Sequence, residues 1–514
     1  MNQPQSSFVA IDLGASSGRV MIGRLIEEGT QRIELEEVYR FPNGAVRMQG
    51  RLQWEIETLY DGVLTGLRLA AARIAQRGDT LAGIGVDTWA VDYGLLDGSD
   101  TLLANPTAYR DERTKRISDR VYEHISPQIH YGLNGLQTLP FNTEFQLIAD
   151  LESSEFAAAE SLLLIPDLIN FWLTGVKAAE ITNASTTGLI DVTTRTWSTE
   201  LMEALSECFP GYGKVPAMLA PVVEAGTVIG ALTPELVRSW GQGEDETNSA
   251  IPVVAVGSHD TASAIVGIPA STKDFAYISC GTWSLVGVEL GRPVLTEASR
   301  EANFTNELGV DGTVRYLRNV MGLWVLQESM RTWVDAGVTE SLVDLIHEAG
   351  QLTPFTTVVD IDSELFLAPG DMPARIANYA EETGQPVPRT QAEVVRCIID
   401  SLALAYRRAL LQAIDLSGLT IEVIHMVGGG IQNELLCQLT ADVTGLAVIA
   451  GPIEGAVLGN VLVQARAVGH AAVAGMNLEQ LRELGSRGVP VKRYLPTSGK
   501  RPIDFAELEG RLSR

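Results

Sequence analysis

Basic residues are scarce in this sequence, and long apolar runs are absent. The chain has 38 Lys and Arg against 64 Asp and Glu, a formal net charge of −26. A nucleic acid or an anionic membrane surface would meet net repulsion from such a chain. No run of about 18 apolar residues occurs, so no membrane span is expected. The composition therefore predicts partners other than nucleic acids and membranes.

Cysteine is also rare, and the first residues carry no export signal. The four cysteines, Cys208, Cys280, Cys397 and Cys437, contain no C-x-x-C pair, which argues against a disulfide framework or a zinc ribbon. The opening MNQPQSSFVAID lacks the basic and apolar regions of a signal peptide. We therefore expect a cytoplasmic protein.

The length and the order of apolar segments predict two α/β domains. A chain of 514 residues exceeds the roughly 250–300 residues at which single cores stop growing. Strand-like runs at 8–12, 81–97 and 251–256 alternate with a helical pattern near 57–76, which is typical of layered α/β folds. The polar, acidic stretch 241–250 is a candidate linker. We predict domains at 1–249 and 250–514.

A strand, a turn of small residues and a second strand occur twice, near Gly14 and near Gly281. This repetition suggests that the halves are copies of one fold, although such hairpins are common. A third strand, 421–427, leads into the glycines 428–430 and then into a helical pattern at 431–444. Residues 455–470 are rich in Gly and Ala, which is typical of a closely packed helix.

The segment DLGASSGR at 12–19 is neither a Walker A sequence nor a Rossmann fingerprint, because it lacks G-K-[ST] and precedes a strand. It is either an ordinary tight hairpin or a phosphate clamp. In the clamp, backbone N–H groups of Ala15, Ser16, Ser17 and Gly18 would bind phosphate oxygens. Arg19 would add charge, and Asp12 could hold Mg²⁺ through water.

Asp260 follows a strand and opens a helix, where its carboxylate could accept a proton from a substrate hydroxyl. The alternative is an ordinary helix cap. A second Gly-Thr turn at 281–282 suits a γ-phosphate, and the glycines 428–430 are either a flexible turn or a platform for a planar base. DTWAVD at 87–92 and YRD at 109–111 offer groups that bind a polyhydroxylated ligand or hold the core together.

Nine spaced segments between residues 8 and 460 together resemble the FGGY carbohydrate kinases of the actin/hexokinase/heat-shock ATPase superfamily. They are AIDLGASSGRVM, GVDTWAVDYGLLD, YRDERT, LPFNTEFQL, TNASTT, VGSHDTASA, SCGTWSL, NVMGLWVLQ and VGGGIQNELLCQLTAD. The resemblance implies two ribonuclease-H-like domains, each with a mixed sheet flanked by helices. It also implies a cleft between them for ATP and a sugar.

The resemblance further implies residue roles. Asp260 would be the general base, and the other sugar-site residues would be Ala90, His259, Thr261 and Asn319. The implied ATP positions are Ala15, Ser16, Ser17, Gly18, Arg19, Thr282, Gln327 and Gly429. Ala90 stands where the family motif has glycine, so we expect a narrower tolerance for sugars.

The expected partners are a small ketose and ATP with Mg²⁺, bound by a monomer or a weak homo-oligomer. Two alternatives remain open. The substrate could be another ketose or polyol, because related kinases share the ATP motifs and differ in the sugar pocket. The chain could also be a nucleotide-regulated binding or assembly protein, which would lack a sugar-dependent base.

Overall fold

A computed structural model describes residues 5–26, 31–240, 250–337, 340–497 and 504–512. The chain forms two compact units that interleave along the sequence. The first comprises Met1–Ser271, Leu290–Tyr316 and Gly455–Val489, and the second comprises Thr272–Glu289, Leu317–Glu454 and Pro490–Arg514. The boundary between residues 249 and 250 stays a prediction. The predicted linker lies outside the described residues except for Ala250.

The described residues contain the following strands. They are β1 (Ser6–Leu13), β2 (Ser17–Ile26), β3 (Arg32–Pro42), β4 (Ala45–Met48), β5 (Arg51–Trp54), β6 (Thr80–Thr88), β7 (Tyr93–Leu96), β8 (Ser161–Leu164), β9 (Ala179–Glu180), β10 (Ile190–Asp191), β11 (Thr196–Trp197), β12 (Val222–Val223), β13 (Thr227–Ala231), β14 (Pro252–Ala255), β15 (Ala276–Cys280), β16 (Ser284–Leu290), β17 (Thr305–Leu308), β18 (Val314–Val320), β19 (Val423–Val427), β20 (Ala447–Ala450) and β21 (Lys492–Tyr494).

Helices alternate with the strands along the chain. They are α1 (Ile56–Arg77), α2 (Ile117–Tyr122), α3 (Pro127–Asn134), α4 (Thr143–Asp150), α5 (Ser154–Ala158), α6 (Ile165–Thr174), α7 (Ile181–Ala184), α8 (Thr199–Cys208), α9 (Val215–Met218), α10 (Pro234–Ser239), α11 (Asp260–Val266), α12 (Glu297–Glu301), α13 (Trp324–Asp335), α14 (Leu342–Gln351), α15 (Met372–Glu382), α16 (Gln391–Ser417), α17 (Glu434–Thr444), α18 (Gly455–Ala467), α19 (Leu478–Ser486) and α20 (Phe505–Leu512). Short 3₁₀ turns lie at Glu112–Thr114, Tyr212–Lys214, Val310–Gly312, Glu364–Phe366 and Gly429–Gln432.

The first unit is built on a mixed sheet with strand order β13-β14-β6-β1-β2-β3. β1 pairs antiparallel with β2 and parallel with β6, and β6 pairs parallel with β14. The side chains of Phe8, Val9, Ala10 and Ile11 in β1 are fully buried, as expected for a central strand covered on both faces. The strand predicted at 8–12 is therefore confirmed and is longer at both ends.

The second sheet repeats this arrangement with one further strand. Its seven strands follow the order β17-β18-β16-β15-β19-β20-β21, with β15 antiparallel to β16 and parallel to β19. A long helix precedes the parallel partner of the hairpin in each unit: α1 precedes β6, and α16 precedes β19. Both sheets end on an antiparallel pair, β13–β14 and β20–β21. The repeated topology supports the predicted duplication.

Two glycines allow α11 and α18 to pack closely in the first unit. A Cβ atom at Gly459 would lie 1.8 Å from the Ser263 carbonyl oxygen, and one at Gly267 would lie 2.2 Å from that of Gly455. Real Cβ atoms do not approach so closely, so only glycine fits at this crossing. The contact brings α18 against the residues that follow β14. The helix predicted at 455–470 is confirmed and ends at Ala467.

Within the described ranges, every helix is too short or too polar to cross a bilayer.

Candidate active site

Asp12 and Asp87 lie side by side in the first unit, at the carboxyl ends of adjacent parallel strands. They are register partners of β1 and β6, and both are buried, with Asp12 4% and Asp87 0% exposed. Parallel strands end at one edge of a sheet, which is where α/β folds place ligands. Two buried carboxyl groups therefore mark this edge as the candidate site.

The environment of Asp87 favours its neutral form. Burial raises the pKa of Asp87 well above its usual value, the charge of Asp12 raises it further, and a hydrogen bond from Asn460 acts in the opposite direction. Asn460 Nδ2 donates to Asp87 Oδ2 at 2.6 Å, whereas Oδ1 is buried without a hydrogen-bond partner among the described residues. Neighbouring carboxyl groups resist ionising together, so the pair attracts a proton or a cation.

Asp260 comes to the same edge through the loop after β14. Thr88 N donates to Ser258 O at 2.8 Å, and Thr88 forms a parallel bridge with His259. His259 is the N-cap of α11, its side chain makes no capping hydrogen bond, and Asp260 is the first helical residue. The carboxylate of Asp260 is thus not the N-cap that the alternative interpretation required.

The Asp260 side chain is partly accessible and remains 37% exposed. Thr261 Oγ1 donates to its Oδ1 at 3.1 Å, and His259 Nε2 lies 3.5 Å from the same oxygen. Enclosure by protein atoms raises the pKa of Asp260, the nearby His259 lowers it, and the charge of Asp12 raises it. A reachable carboxylate with a raised pKa is suited to accepting a proton.

The imidazole of His259 is fixed by a buried ion pair. Its Nδ1 lies 3.2 Å from Glu307 Oε2 and 3.2 Å from Arg315 Nη1. Glu307 and Arg315 also contact each other at 3.0 Å and are almost fully buried. With Nδ1 engaged, Nε2 is the ring nitrogen that faces Asp260.

Glu180 holds the loop that precedes Asp260. Its Oε2 accepts hydrogen bonds from Ser258 N at 3.0 Å and Ser258 Oγ at 2.7 Å. The same oxygen accepts from Thr182 Oγ1 at 2.6 Å. Burial raises the pKa of Glu180, and the donors of Thr182 and Ser258 oppose this. Ser258 is thereby anchored two residues before Asp260.

The first hairpin presents unused amides at its tip. Gly14 N donates to Ser17 O at 2.9 Å, and Asn43 N donates to Ser16 O at 3.1 Å. Within the described residues, the amides of Ala15 and Ser16 have no intramolecular acceptor. Free N–H groups at a strand-to-strand turn can bind an anion.

Arg19 is not simply a free positive charge beside this tip. It is the register partner of Asp12 on the hairpin, and its guanidinium donates to the Asp12 carboxylate. Part of the charge predicted for phosphate binding is therefore neutralised by Asp12. Ser17 and Gly18 belong to β2, so the predicted clamp residues are divided between the tip and the strand.

In the second unit, the turn that carries Thr282 is hydrogen-bonded to the start of the helix that carries Gln327. Trp324 N donates to Thr282 O at 3.0 Å, and Leu323 N donates to Gly281 O at 3.1 Å. α13 begins at Trp324 and carries Gln327 in its first turn. The turn between β15 and β16 thus lies directly against the start of α13.

Gly429 lies at the same end of β15. Its neighbour Gly428 has φ +87°, and a Cβ there would lie 2.9 Å from Cys280 O. Gly429 itself is exposed and has open space around its Cβ direction. Thr282 and Gly429, two of the predicted nucleotide residues, therefore lie near the same end of β15. Asn319, which was predicted for the sugar, lies near the end of β18, also in the second unit.

Ala90 occupies a turn between β6 and β7 that a carboxylate braces. Asp92 N donates to Ala90 O at 2.9 Å. Asp92 Oδ2 accepts from Trp54 Nε1 at 2.6 Å and from Trp89 Nε1 at 3.0 Å. The two indoles stand 4.4 Å apart. Burial raises the pKa of Asp92 to about 6, against hydrogen bonds from both indoles.

A magnesium ion is compatible with the Asp12–Asp87 edge. Within the described residues, no group of three or more His, Cys, Asp or Glu side chains could hold a metal. Mg²⁺ commonly uses one or two carboxylates together with water and substrate phosphates. The unpartnered Asp87 Oδ1 is one oxygen that fits this ligand preference.

Several supporting residues were missed by sequence reasoning. Asn460, Glu307, Arg315 and Glu180 contact the candidate site residues only through the fold. Asp87 could have been found, because it lies in the quoted motif DTWAVD after a strand. Nothing in the local sequence around Asn460 or Arg315 indicates a partner.

The fold matches solved sugar and polyol kinases along nearly the whole chain. A gluconate kinase from Lactobacillus acidophilus has a TM-score of 0.75 at 17% identity, covering 99% of this chain and 96% of that chain. A xylulose kinase from the same organism has a TM-score of 0.74 at 17% identity, covering 98% and 96%. At such identities the likeness concerns the fold alone, and it confirms the predicted two-domain α/β architecture.

Curated proteins related by sequence have a higher identity to this chain than these two solved structures. A protein from Bacteroides thetaiotaomicron is 41% identical, covering 96% of both chains, and one from Bacillus subtilis is 37% identical, covering 95% of both. Each bears the name rhamnulokinase. The N-terminal domain model of the FGGY carbohydrate kinases matches residues 7–267, and the C-terminal domain model matches residues 276–468. The chain belongs to the FGGY family of carbohydrate kinases.

Proposed function

We propose that this chain is a rhamnulokinase, which transfers the γ-phosphoryl group of ATP to L-rhamnulose and forms L-rhamnulose 1-phosphate. The observation that carries the proposal is full-length similarity to proteins of that name, at 37–41% identity. The accessible carboxylate of Asp260 supports it, because phosphorylation of an alcohol needs a nearby proton acceptor.

In the proposed reaction, Asp260 takes the proton from the ketose hydroxyl. The hydroxyl oxygen forms a bond to the γ-phosphorus, and the bond from that phosphorus to the bridging oxygen breaks, so ADP leaves with the electron pair. Thr261 orients the carboxylate through its 3.1 Å hydrogen bond. His259, held by Glu307 and Arg315, offers Nε2 to the sugar. These residues supply positioning and proton transfer, which this chemistry mainly requires.

For the nucleotide, we propose that the hairpin tip at Ala15 and Ser16 binds phosphate oxygens, together with Ser17, Gly18 and Arg19. Thr282, Gln327 and Gly429 would form the rest of the ATP site. A magnesium ion bound with ATP would neutralise phosphate charge, and Asp12, with Asp87 beside it, would hold its water ligands. Asn319 is proposed to contact the ketose. The cleft predicted between the domains stays a prediction.

Ala90 bears on which ketose is preferred. Its methyl group replaces a hydrogen at the family's glycine position, which favours a narrower sugar pocket. The Ala90→Gly variant should broaden selectivity or lower the sugar KM. Unchanged KM and selectivity would show that the methyl group has no such effect.

The test is ADP release from the purified protein with ATP, Mg²⁺ and L-rhamnulose. L-fuculose, D-xylulose, L-ribulose and a blank without sugar are run in parallel. A clear preference for L-rhamnulose supports the proposal. Preference for another ketose keeps the kinase and overturns the substrate, and ATP turnover independent of any sugar favours a nucleotide-regulated binding protein. We also propose a cytoplasmic monomer or weak homo-oligomer, which light scattering on the same sample tests for oligomeric state.

A further inference from the structure

The turn that carries Ala90 contains a backbone outlier. Val91 has φ +68°. Asp92 N donates a hydrogen bond to Ala90 O at 2.9 Å, which forms a three-residue turn. A β-branched residue rarely adopts positive φ, because its side chain then crowds the backbone. Such conformations persist where the surroundings impose them, and they gather at functional sites.

Two side chains of α4 donate hydrogen bonds to the carbonyl group of Val91. Val91 O accepts a hydrogen bond from Thr143 Oγ1 at 2.7 Å and another from Gln146 Nε2 at 3.2 Å. Both donors belong to fully buried residues. Arg113 Nη2 holds the opposite end of the Gln146 amide, donating to Oε1 at 2.7 Å. The amide is therefore oriented with its donor toward the turn.

The turn is joined to the candidate site on its other side. Trp89 N donates to Leu13 O at 3.2 Å, next to Asp12. Asn183 Nδ2 lies 3.4 Å from both Trp89 O and Ser258 O, and Ser258 leads into the base. A change in the Val91 peptide would therefore move Ala90 relative to Asp260.

From this arrangement we infer that Thr143 and Gln146 are positioning residues for the sugar site. They hold Val91 in the left-handed region, and the strained turn in turn fixes the Ala90 backbone where the ketose binds. They contact no reacting atom. The inference rests on the proposed function for the identity of the ligand. The effect of Thr143 and Gln146 on the Val91 turn can be tested without turnover.

A double-mutant cycle separates this role from general support of the core. Thr143→Val removes the hydroxyl and keeps the shape of the side chain. It should raise the sugar KM about tenfold, the size expected for one buried hydrogen bond, with kcat and the ATP KM little changed. Val91→Gly adopts positive φ without strain. In that background, Thr143→Val should raise the sugar KM less than about twofold.

Thr440→Val is the matched control. Thr440 is also fully buried, and its Oγ1 donates to a backbone carbonyl, Leu436 O, at 2.8 Å. This variant should leave the sugar KM unchanged in both backgrounds. If Val91→Gly does not fold, Val91→Asn replaces it, because Asn tolerates left-handed backbone.

Hydrogen exchange supplies the readout without turnover. Exchange of the Asp92 amide should accelerate in Thr143→Val, and Val91→Gly should restore its protection. An equal effect of Thr143→Val in both backgrounds, on KM or on exchange, overturns the inference. If no ketose is phosphorylated by the unsubstituted protein, the proposed function fails. The exchange data still decide whether Thr143 holds the Val91 turn.

Discussion

Asn460 donates a 2.6 Å hydrogen bond to Asp87 across 373 residues of sequence. The amide comes from α18 and the carboxyl from the end of β6, and both residues are fully buried. Asn460 also accepts from Gln464, which reaches the β1 backbone at Val9 O. A helix near the end of the chain thereby supports the carboxyl edge built by its first 90 residues.

Asn460→Ala should destabilise the protein by about 1–3 kcal/mol, because it leaves a buried carboxyl oxygen without its donor. Urea unfolding at neutral pH measures this. The control is Gln128→Ala, which removes an exposed amide bonded to Glu297 and should change the unfolding free energy by less than about 0.5 kcal/mol. Equal effects of the two variants would show that the hydrogen bond from Asn460 contributes no more to the free energy of unfolding than an exposed one.

Asp260→Asn should lower kcat by about 10²–10⁴ with a modest change in the sugar KM, because it removes the proposed proton acceptor and keeps the shape of the side chain. Steady-state ADP release measures both constants. Asp371→Asn is the matched control: Asp371 is a true N-cap that accepts from Ala374 N at 3.0 Å, and its substitution should leave kcat unchanged. Normal turnover of Asp260→Asn would refute the proposed base.

Asp92 should make the protein less stable as pH rises toward neutrality. Burial raises its pKa in the folded state to about 6 from 3.8, so the folded protein binds more protons than the unfolded chain between these values. The unfolding free energy then falls with rising pH, by up to about 3 kcal/mol from this group. Asp92→Asn removes that contribution.

Thermal unfolding of the parent protein and Asp92→Asn from pH 4 to pH 7 checks this. The stability of the parent relative to the variant should decline across the range. A constant difference would show that Asp92 is ionised throughout.

Gly459→Ala should cost about 1–3 kcal/mol, because the new methyl group forces α18 away from α11. Its Cβ would lie 1.8 Å from Ser263 O. Gly510→Ala provides the contrast: Gly510 lies in α20 with open space around it, and alanine should stabilise the helix by about 0.5–1 kcal/mol. Denaturant unfolding should therefore give opposite signs for the two substitutions.

Gly429→Val should raise the ATP KM and leave the sugar KM and the unfolding temperature nearly unchanged. A Cβ atom at Gly429 would have no protein atom within 4 Å, so we expect a side chain there to obstruct the proposed nucleotide rather than the protein. Gly428→Val differs, because φ +87° and the nearby Cys280 O make it strained, and it should lower the unfolding temperature. An unchanged ATP KM in Gly429→Val would show that the planar base of ATP binds elsewhere.

Much of the fold could be predicted because its signals are local. Short apolar runs bounded by small residues located β1, β14, β15 and β19 to within a few residues, and helical spacing located α1, which spans Ile56–Arg77. The helix start at Asp260 followed from a strand, a polar pair and an Ala-rich segment. Local patterns determine such elements, since hydrogen bonds and burial repeat at fixed intervals.

The amino-acid sequence by itself thus determined the strands, the helices, the two Gly-rich turns and the family motifs. Only the tertiary structure decided that Asn460 supports Asp87, that Glu307 and Arg315 fix His259, and that Val91 is held at positive φ. The first two depend on segments far apart in the chain, whose meeting is set by sheet order and helix packing. The third opposes the intrinsic preference of valine, and it occurs where Thr143 and Gln146 donate hydrogen bonds to the turn from a neighbouring helix.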